Sequence, residues 1–206
     1  MRTLVIDSAT GACSVALFDD DRLLAGQYGV LGRGHAERLV PMIAGLPGKG
    51  RADRVIVALG PGSFTGVRVG LAAARALAFA WTAQMAGYAT LSLVAAMARA
   101  KAGAVPVGVA MTGGHGEWFV EGFDEQGRSV RPLASLAPSD AIAVTAEELI
   151  AGSEAEALVG NKGCGKALPL LPDARAFTLL ASDAVSADIA PIYGREPDAM
   201  LPGTPA

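Results

Sequence analysis

The chain has 206 residues, 51% of them hydrophobic and 18% charged, with a net charge of −3. This is enough for one domain or two small ones with a filled core, and the acidic balance excludes a global basic footprint for nucleic acid. Two cysteines exclude a disulfide framework and fit a reducing compartment, no apolar run approaches the ~20 residues of a membrane span, and 5% aromatic content argues against a base-stacking surface.

Taken in order, residues 3–6 read as a short buried strand that ends at Asp7, so the N-terminus is a strand signal rather than a leader peptide. Residues 14–18 predict a second strand, the acidic turn 19–21 a hairpin, and 22–30 a third strand weakened by Gly26 and Gly29. Helical spacing covers 35–46, with Pro41 inside it removing one backbone donor and favouring a kink or an early 3₁₀ turn. An apolar strand over 55–59 runs into the turn Gly60-Pro61-Gly62, and a long helical pattern follows to Trp81. Ser63 or Thr65 is placed to cap that helix. A return strand is predicted at 87–91, then a helix over 92–101 capped by Thr90. In the second half, strands are predicted at 105–111, 117–123, 130–133, 142–144 and 157–159. Thr145 and Glu148 have capping-box spacing before a helix over 146–151. Short helices are expected at 164–171 and 182–189, and a frayed tail at the end. No internal sequence repeat is visible. The order strand, strand, strand, helix, strand, helix in the first half is that of a ribonuclease-H-like lobe, the unit of the actin-like fold. The expected class is therefore α/β with mixed sheets flanked by helices, and a boundary near residues 100–105 divides the chain into 1–102 and 103–206.

The helix over 66–81 is unusual. At 100° per residue, Val67, Leu71, Ala74 and Ala78 form one apolar stripe, and Gly66, Gly70, Ala73 and Leu77 a second beside it, extended by Val69, Ala76 and Ala80. Only Arg68 and Arg75 interrupt the pattern, on one face with Ala72 and Phe79. A helix that is apolar nearly all round is buried nearly all round. The face flattened by Gly66, Gly70 and Ala73 is expected to receive another helix, within the chain or from a partner. Arg33, Arg38, Arg68 and Arg75 are expected to cluster if the two helices pack together, or else to pair with Glu37 and the acidic turn.

The turn before the helix has a second reading. Gly60, Gly62 and Ser63, with Asp7 and Thr10 at the end of the first strand, could together meet a phosphate or nucleotide. The competing account is turn capping by the Asp7 and Thr10 side chains. The run is neither a P-loop nor a dinucleotide fingerprint. His35 and His115 are far apart in sequence, and neither Cys13 nor Cys164 has a local histidine, so no metal ligands and no thiol nucleophile are predicted.

The segments I-D-S-A-T-G-A-C-S-V-A-L (6–17), R-G-H-A-E-R-L-V-P-M-I (33–43), G-P-G-S-F-T-G-V-R-V-G (60–70), G-Y-A-T-L (87–91) and P-I-Y-G-R (191–195) resemble, in order, the marks of the TsaB family, also called YeaZ. The resemblance implies two ribonuclease-H-like lobes and no catalytic residues. It further implies a cytoplasmic scaffold subunit in making N6-threonylcarbamoyladenosine at position 37 of tRNA. The implied partners are the catalytic paralogue TsaD and the ATPase TsaE; the chain alone is expected to form a homodimer, and tRNA is met only through the complex. The implied contact uses the helices near 35–46 and 65–80, hence Leu39, Ile43, Gly66, Val69, Gly70, Ala73 and Leu77. No cofactor is implied, though a nucleotide at a subunit interface is compatible with the pattern. The chain departs from the family at 111–114, where Met-Thr-Gly-Gly replaces I-D-A-R. The alternative function is an actin-like ATPase or a peptidase, built on Asp7, Thr10 and the 60–63 turn.

Overall fold

A computed structural model describes residues 1–194. Strands β1 (Arg2–Asp7), β2 (Ala12–Asp19) and β3 (Arg22–Val30) form an antiparallel meander. Helix α1 (His35–Ala44) then leads to β4 (Arg54–Ala58), which pairs parallel to β1. Helix α2 (Phe64–Trp81) leads to β5 (Gln84–Tyr88), which pairs parallel to β4. The parallel pairings oblige helical crossovers, and β1 and β4 carry continuous apolar runs because both of their faces are covered.

The second half repeats this plan. Strands β6 (Val107–Thr112), β7 (Trp118–Phe123) and β8 (Ser129–Leu136) are antiparallel neighbours. Helix α4 (Pro138–Val144), strand β9 (Leu149–Ala151), helix α5 (Ala155–Lys162) and strand β10 (Lys166–Leu168) complete it. With a two-residue strand β11 (Val185–Ser186) at the edge of the first sheet, the orders are β11-β5-β4-β1-β2-β3 and β10-β9-β6-β7-β8. The five core strands thus follow one order in both sheets, a structural repeat without a sequence repeat. This is the pair of ribonuclease-H-like lobes expected of the actin-like class.

Helix α3 (Thr90–Ala102) is the layer the two sheets share. Leu91, Val94, Ala95 and Ala98 pack into the core of the second sheet, whereas Leu93 belongs to the first. The chain also returns to the first sheet after β10. Asp173 caps a 3₁₀ turn at Ala174–Leu179 by accepting from the Arg175 N–H at 2.9 Å. The Ala174 N–H donates to Ser14 Oγ at 2.9 Å. The Phe177 ring lies 6.1 Å from both Phe18 and Tyr88. Strand β11 (Val185–Ser186) then pairs with β5, and the Ile192 N–H donates to Leu59 O at 2.8 Å.

The first-half expectations match closely, and Ser63 is the cap of α2, accepting from the Gly66 N–H at 3.2 Å. Pro41 sits inside α1 without ending it; the helix stops at Ala44 and a 3₁₀ turn follows at Pro47–Gly50. The return strand lies three residues earlier than the expected 87–91, and Thr90 is the first residue of α3 rather than its cap, with its hydroxyl unpartnered among the described residues. Larger corrections fall after Leu136. Residues 142–144 end a helix that Pro138 opens at its first turn, where a missing N–H costs nothing. The Thr145 hydroxyl donates back to Ala141 O at 2.7 Å, so it closes α4 instead of opening a helix, and 149–151 is a strand. Residues 157–159 lie inside α5, and 166–168 form a strand where a helix over 164–171 was expected. Residues 182–189 hold a 3₁₀ turn and β11 rather than a helix. The tail expected to fray from Pro191 is instead tied down over its first residues, where the Ile192 N–H bonds to Leu59 O and the Tyr193 ring meets Phe64; Arg195 and the rest fall outside the described residues.

Helix α2 approaches the β1–β2 turn closely. A Cβ on Gly66 would strike the Ser8 carbonyl oxygen, and one on Gly70 would lie 2.6 Å from Ser8 Oγ. The Ser8 hydroxyl itself donates to Gly66 O at 2.8 Å. Gly66→Ala is therefore expected to destabilise the fold by about 1–3 kcal/mol, despite the ~1 kcal/mol that alanine gains over glycine in a helix. Gly114→Ala, with nothing within 4 Å of the added methyl, should change stability by less than ~0.5 kcal/mol. Urea denaturation of both variants checks this.

Candidate partner face and inter-lobe cleft

Two surfaces meet at α2: its outward face, and a cleft that its first turn helps to line. The buried side of the helix comprises Gly66, Val67, Gly70, Leu71, Ala74 and Ala78. Gly66 and Gly70 thus make their close approach to Ser8 of the same chain, a correction to the idea that they clear space for a partner. Leu39 and Ile43 of α1 are likewise buried, at 0% and 4% exposure, in the core of the first sheet. Val69, Ala73 and Leu77 are half-buried at the edge of that core.

The surface left open consists of Ala72, Ala76, Phe79 and Ala80 on α2, and Ala36, Val40 and Ala44 on α1. Phe79 is 89% exposed and Val40 61%. An aromatic ring so exposed on an alanine-rich helix makes a patch that a monomer gains nothing from showing to water. The sequence reading set Phe79 aside with the arginines. The missed signal was that Phe79 and Ala72 lie across the helix from the glycines, with Ala76 and Ala80 between the two sides and also exposed.

The cleft encloses about 780 Å³ between the lobes. Thr10, Gly62, Ser63, Phe64 and Arg68 line it from the first lobe; Met111, Thr112, His115 and Phe119 line it from the second. Ile192 and Tyr193 close one side, with the Tyr193 ring 5.9 Å from Phe64. Arg68 stacks over the Phe64 ring itself, its guanidinium carbon 3.5 Å from the ring centre. The substituted stretch 111–114 forms part of this wall.

The structure does not bring the five phosphate candidates together. Thr10, Gly62 and Ser63 reach the cleft, but Gly60 packs beneath Ile192 O and Asp7 lies 1% exposed inside the first lobe. Asp7 Oδ1 accepts from the Ala9 N–H at 3.1 Å and Oδ2 from the Tyr88 hydroxyl at 2.8 Å. Thr10 Oγ1 accepts from the Ala12 N–H at 3.2 Å, and Ser63 Oγ is spent on the helix cap. These are the turn-capping roles. No carboxylate lines the cleft among the described residues. His35 is buried with Nε2 3.2 Å from Ala12 O, and burial pushes the Cys13 thiol up to about 11, leaving it protonated. Arg33, Arg38, Arg68 and Arg75 form no ion pair among the described residues, so the expected pairing with Glu37 and the acidic turn is absent.

Burial raises the Asp7 carboxyl to about 6, against the lowering effect of its bonds to Tyr88 and Ala9. The unfolded chain releases this proton near pH 4, whereas the folded chain holds it to about pH 6. Between those values the unfolded state binds fewer protons, so stability contributed by Asp7 falls as pH rises through this window and is level above it. An asparagine carries no charge: its Oδ1 can still accept from the Ala9 N–H, and its amide can donate to the Tyr88 hydroxyl oxygen in place of the bond that Tyr88 donates to Asp7. Asp7→Asn is expected to remove a decline on the order of 2–3 kcal/mol between pH 4 and pH 6, read as the difference between wild-type and variant thermal melts across that range.

Comparison with known proteins bears on both surfaces. The family model for TsaD, tRNA N6-adenosine threonylcarbamoyltransferase, matches residues 26–163, more than half of the chain. The tRNA threonylcarbamoyladenosine biosynthesis protein TsaB of Escherichia coli K12 is 41% identical over 134 residues, covering 62% of this chain and 58% of that protein. Its Bacillus subtilis 168 namesake is 30% identical over 104 residues, covering 48% and 45%. The matches thus span about half the length of these curated relatives. The solved structure of YeaZ from Pseudomonas aeruginosa superposes with a TM-score of 0.77 at 29% identity, covering 93% of this chain and 99% of that one. A second P. aeruginosa structure, described as similar to the peptidase YeaZ, gives 0.78 at 29% identity, over 94% and 99%. The chain therefore belongs to the threonylcarbamoyltransferase family that the TsaD model describes, and within it to the TsaB/YeaZ proteins.

Proposed function

We propose that the chain is a non-catalytic subunit in the biosynthesis of N6-threonylcarbamoyladenosine at position 37 of tRNA, docking and activating its catalytic paralogue TsaD. The observation that carries this reading is the exposed apolar face of α1 and α2, with Phe79 at its centre. The names of the relatives supply the pathway, and the family match relates the chain to its proposed partner. In this reading Ala36, Val40, Ala72, Ala76, Phe79 and Ala80 meet the partner, and Val69, Ala73 and Leu77 lie at the margin of the contact. The chain alone pairs with a second copy through the same helices, and the ATPase TsaE joins the assembled pair. The complex works in the cytoplasm and tRNA is held by the complex, as suits a chain of net charge −3. Among the described residues no helix is long and apolar enough to cross a membrane.

Phe79→Glu places a charge at the centre of the proposed contact without touching the core. It is expected to weaken association with the paralogue from the same genome at least tenfold, the scale of a central interface residue, with an unchanged circular dichroism spectrum. Co-purification and a reconstituted tRNA modification assay should fall together. Full association and full modification by the variant would rule the reading out.

A further inference from the structure

We infer that the α1/α2 face selects a partner whose facing surface carries carboxylates, in preference to a second copy of this chain. The inference rests on the docking role proposed above and adds the chemistry of the partner. Helix α2 has eighteen residues and no acid, and its two charges, Arg68 and Arg75, lie seven apart on the stripe that holds Ala72 and Phe79. Both arginines are exposed, and neither makes an ion pair among the described residues. The Arg68 guanidinium stacks on Phe64 where the start of the face borders the cleft, so its charge lies at that edge of the face. Helix α1 adds one charge of each sign, Glu37 and Arg38, both exposed. The face is therefore cationic in a chain that is anionic overall.

The consequence follows from symmetry. A two-fold dimer apposes one surface with its own copy, so self-pairing brings four α2 arginines, and no α2 acid, to one seam. A partner with aspartate or glutamate flanking an apolar helix face meets the same two guanidiniums with bidentate acceptors. Like charges across an interface suppress the wrong pairing, and opposite charges favour the right one.

The test titrates salt against association in two arms, wild type and Arg68→Gln/Arg75→Gln, with Phe79→Glu as the control for the face itself. Affinity for the paralogue is expected to fall about tenfold between 50 and 500 mM NaCl, as the screening length shrinks to a few ångströms. The double variant is expected to bind several-fold more weakly at 50 mM and to match the wild type at 500 mM. Sedimentation of the chain alone should show the reverse, with self-association tightening as salt rises. A paralogue affinity indifferent to salt, or a double variant that binds as the wild type does at 50 mM, overturns the charge selection while leaving the docking reading intact. Self-association that weakens with salt and with the double substitution assigns the face to a second copy and overturns it too. If Phe79→Glu binds the paralogue unimpaired, or no complex forms at either salt, the docking reading falls and this inference with it.

Discussion

The contact on which the rest depends is that of α2 with the β1–β2 turn. Two glycines one turn apart let the helix backbone settle on Ser8, with the Ser8 hydroxyl donating to Gly66 O at 2.8 Å. This contact sets the rotation of the helix about its own axis. With the glycine side fixed inward, Phe79 and the alanines can only face outward, and Phe64 at the first turn can only face the cleft. A bulkier residue at either position would lift the helix from the sheet and disturb both surfaces together. A pair of small residues in a helix is easily read as a landing strip for a partner; here it is what the chain uses to seat the helix on itself.

The two lobes share a strand order but not a division of labour. The first lobe carries the long helices, the exposed face and a core that reaches both sides of its sheet. The second has short strands and helices, and its core is split by its sheet into two smaller clusters. What joins the lobes is α3, shared between both cores, and the chain after β10, which returns to the first sheet and whose last described residues lie beside the cleft. Tyr193 stands against Phe64, and Gly194 lies so close to the Phe119 ring that a side chain there would collide with it. The cleft walls are thus tied through residues at the end of the described chain. These walls are largely apolar, the Thr10 and Ser63 hydroxyls serve the chain's own turns, and Asp7 is turned inside.

The first half of the fold was legible because its elements are long and its periods clean. The 22–30 strand, the α2 pattern and its Ser63 cap follow from alternation, apolar repeat and one capping residue. The second half was not, because β9 and β10 have three residues each; at that length strand and helix periods cannot be told apart. Residues 157–159 look like a strand only when the alanines and glycine around them, all inside α5, are ignored. The candidate site was half legible. The helix was correctly singled out, but the helical wheel alone cannot say which of two apolar stripes faces inward. That depends on Ser8, sixty residues away in sequence. The phosphate candidates failed for a similar reason: Asp7 stands where a cleft acid would, but Tyr88 lies close enough to draw its carboxyl into the core.

The central claim is that the outward face of α1 and α2 is where the chain meets its catalytic paralogue. Hydrogen exchange on the purified pair, compared with each chain alone, tests it most directly. The account predicts new protection concentrated in residues 35–44 and 64–81, with the exposed edge strand β3 unchanged. Protection confined to β3 or to the second lobe, with α1 and α2 exchanging as they do in the free chain, would contradict it.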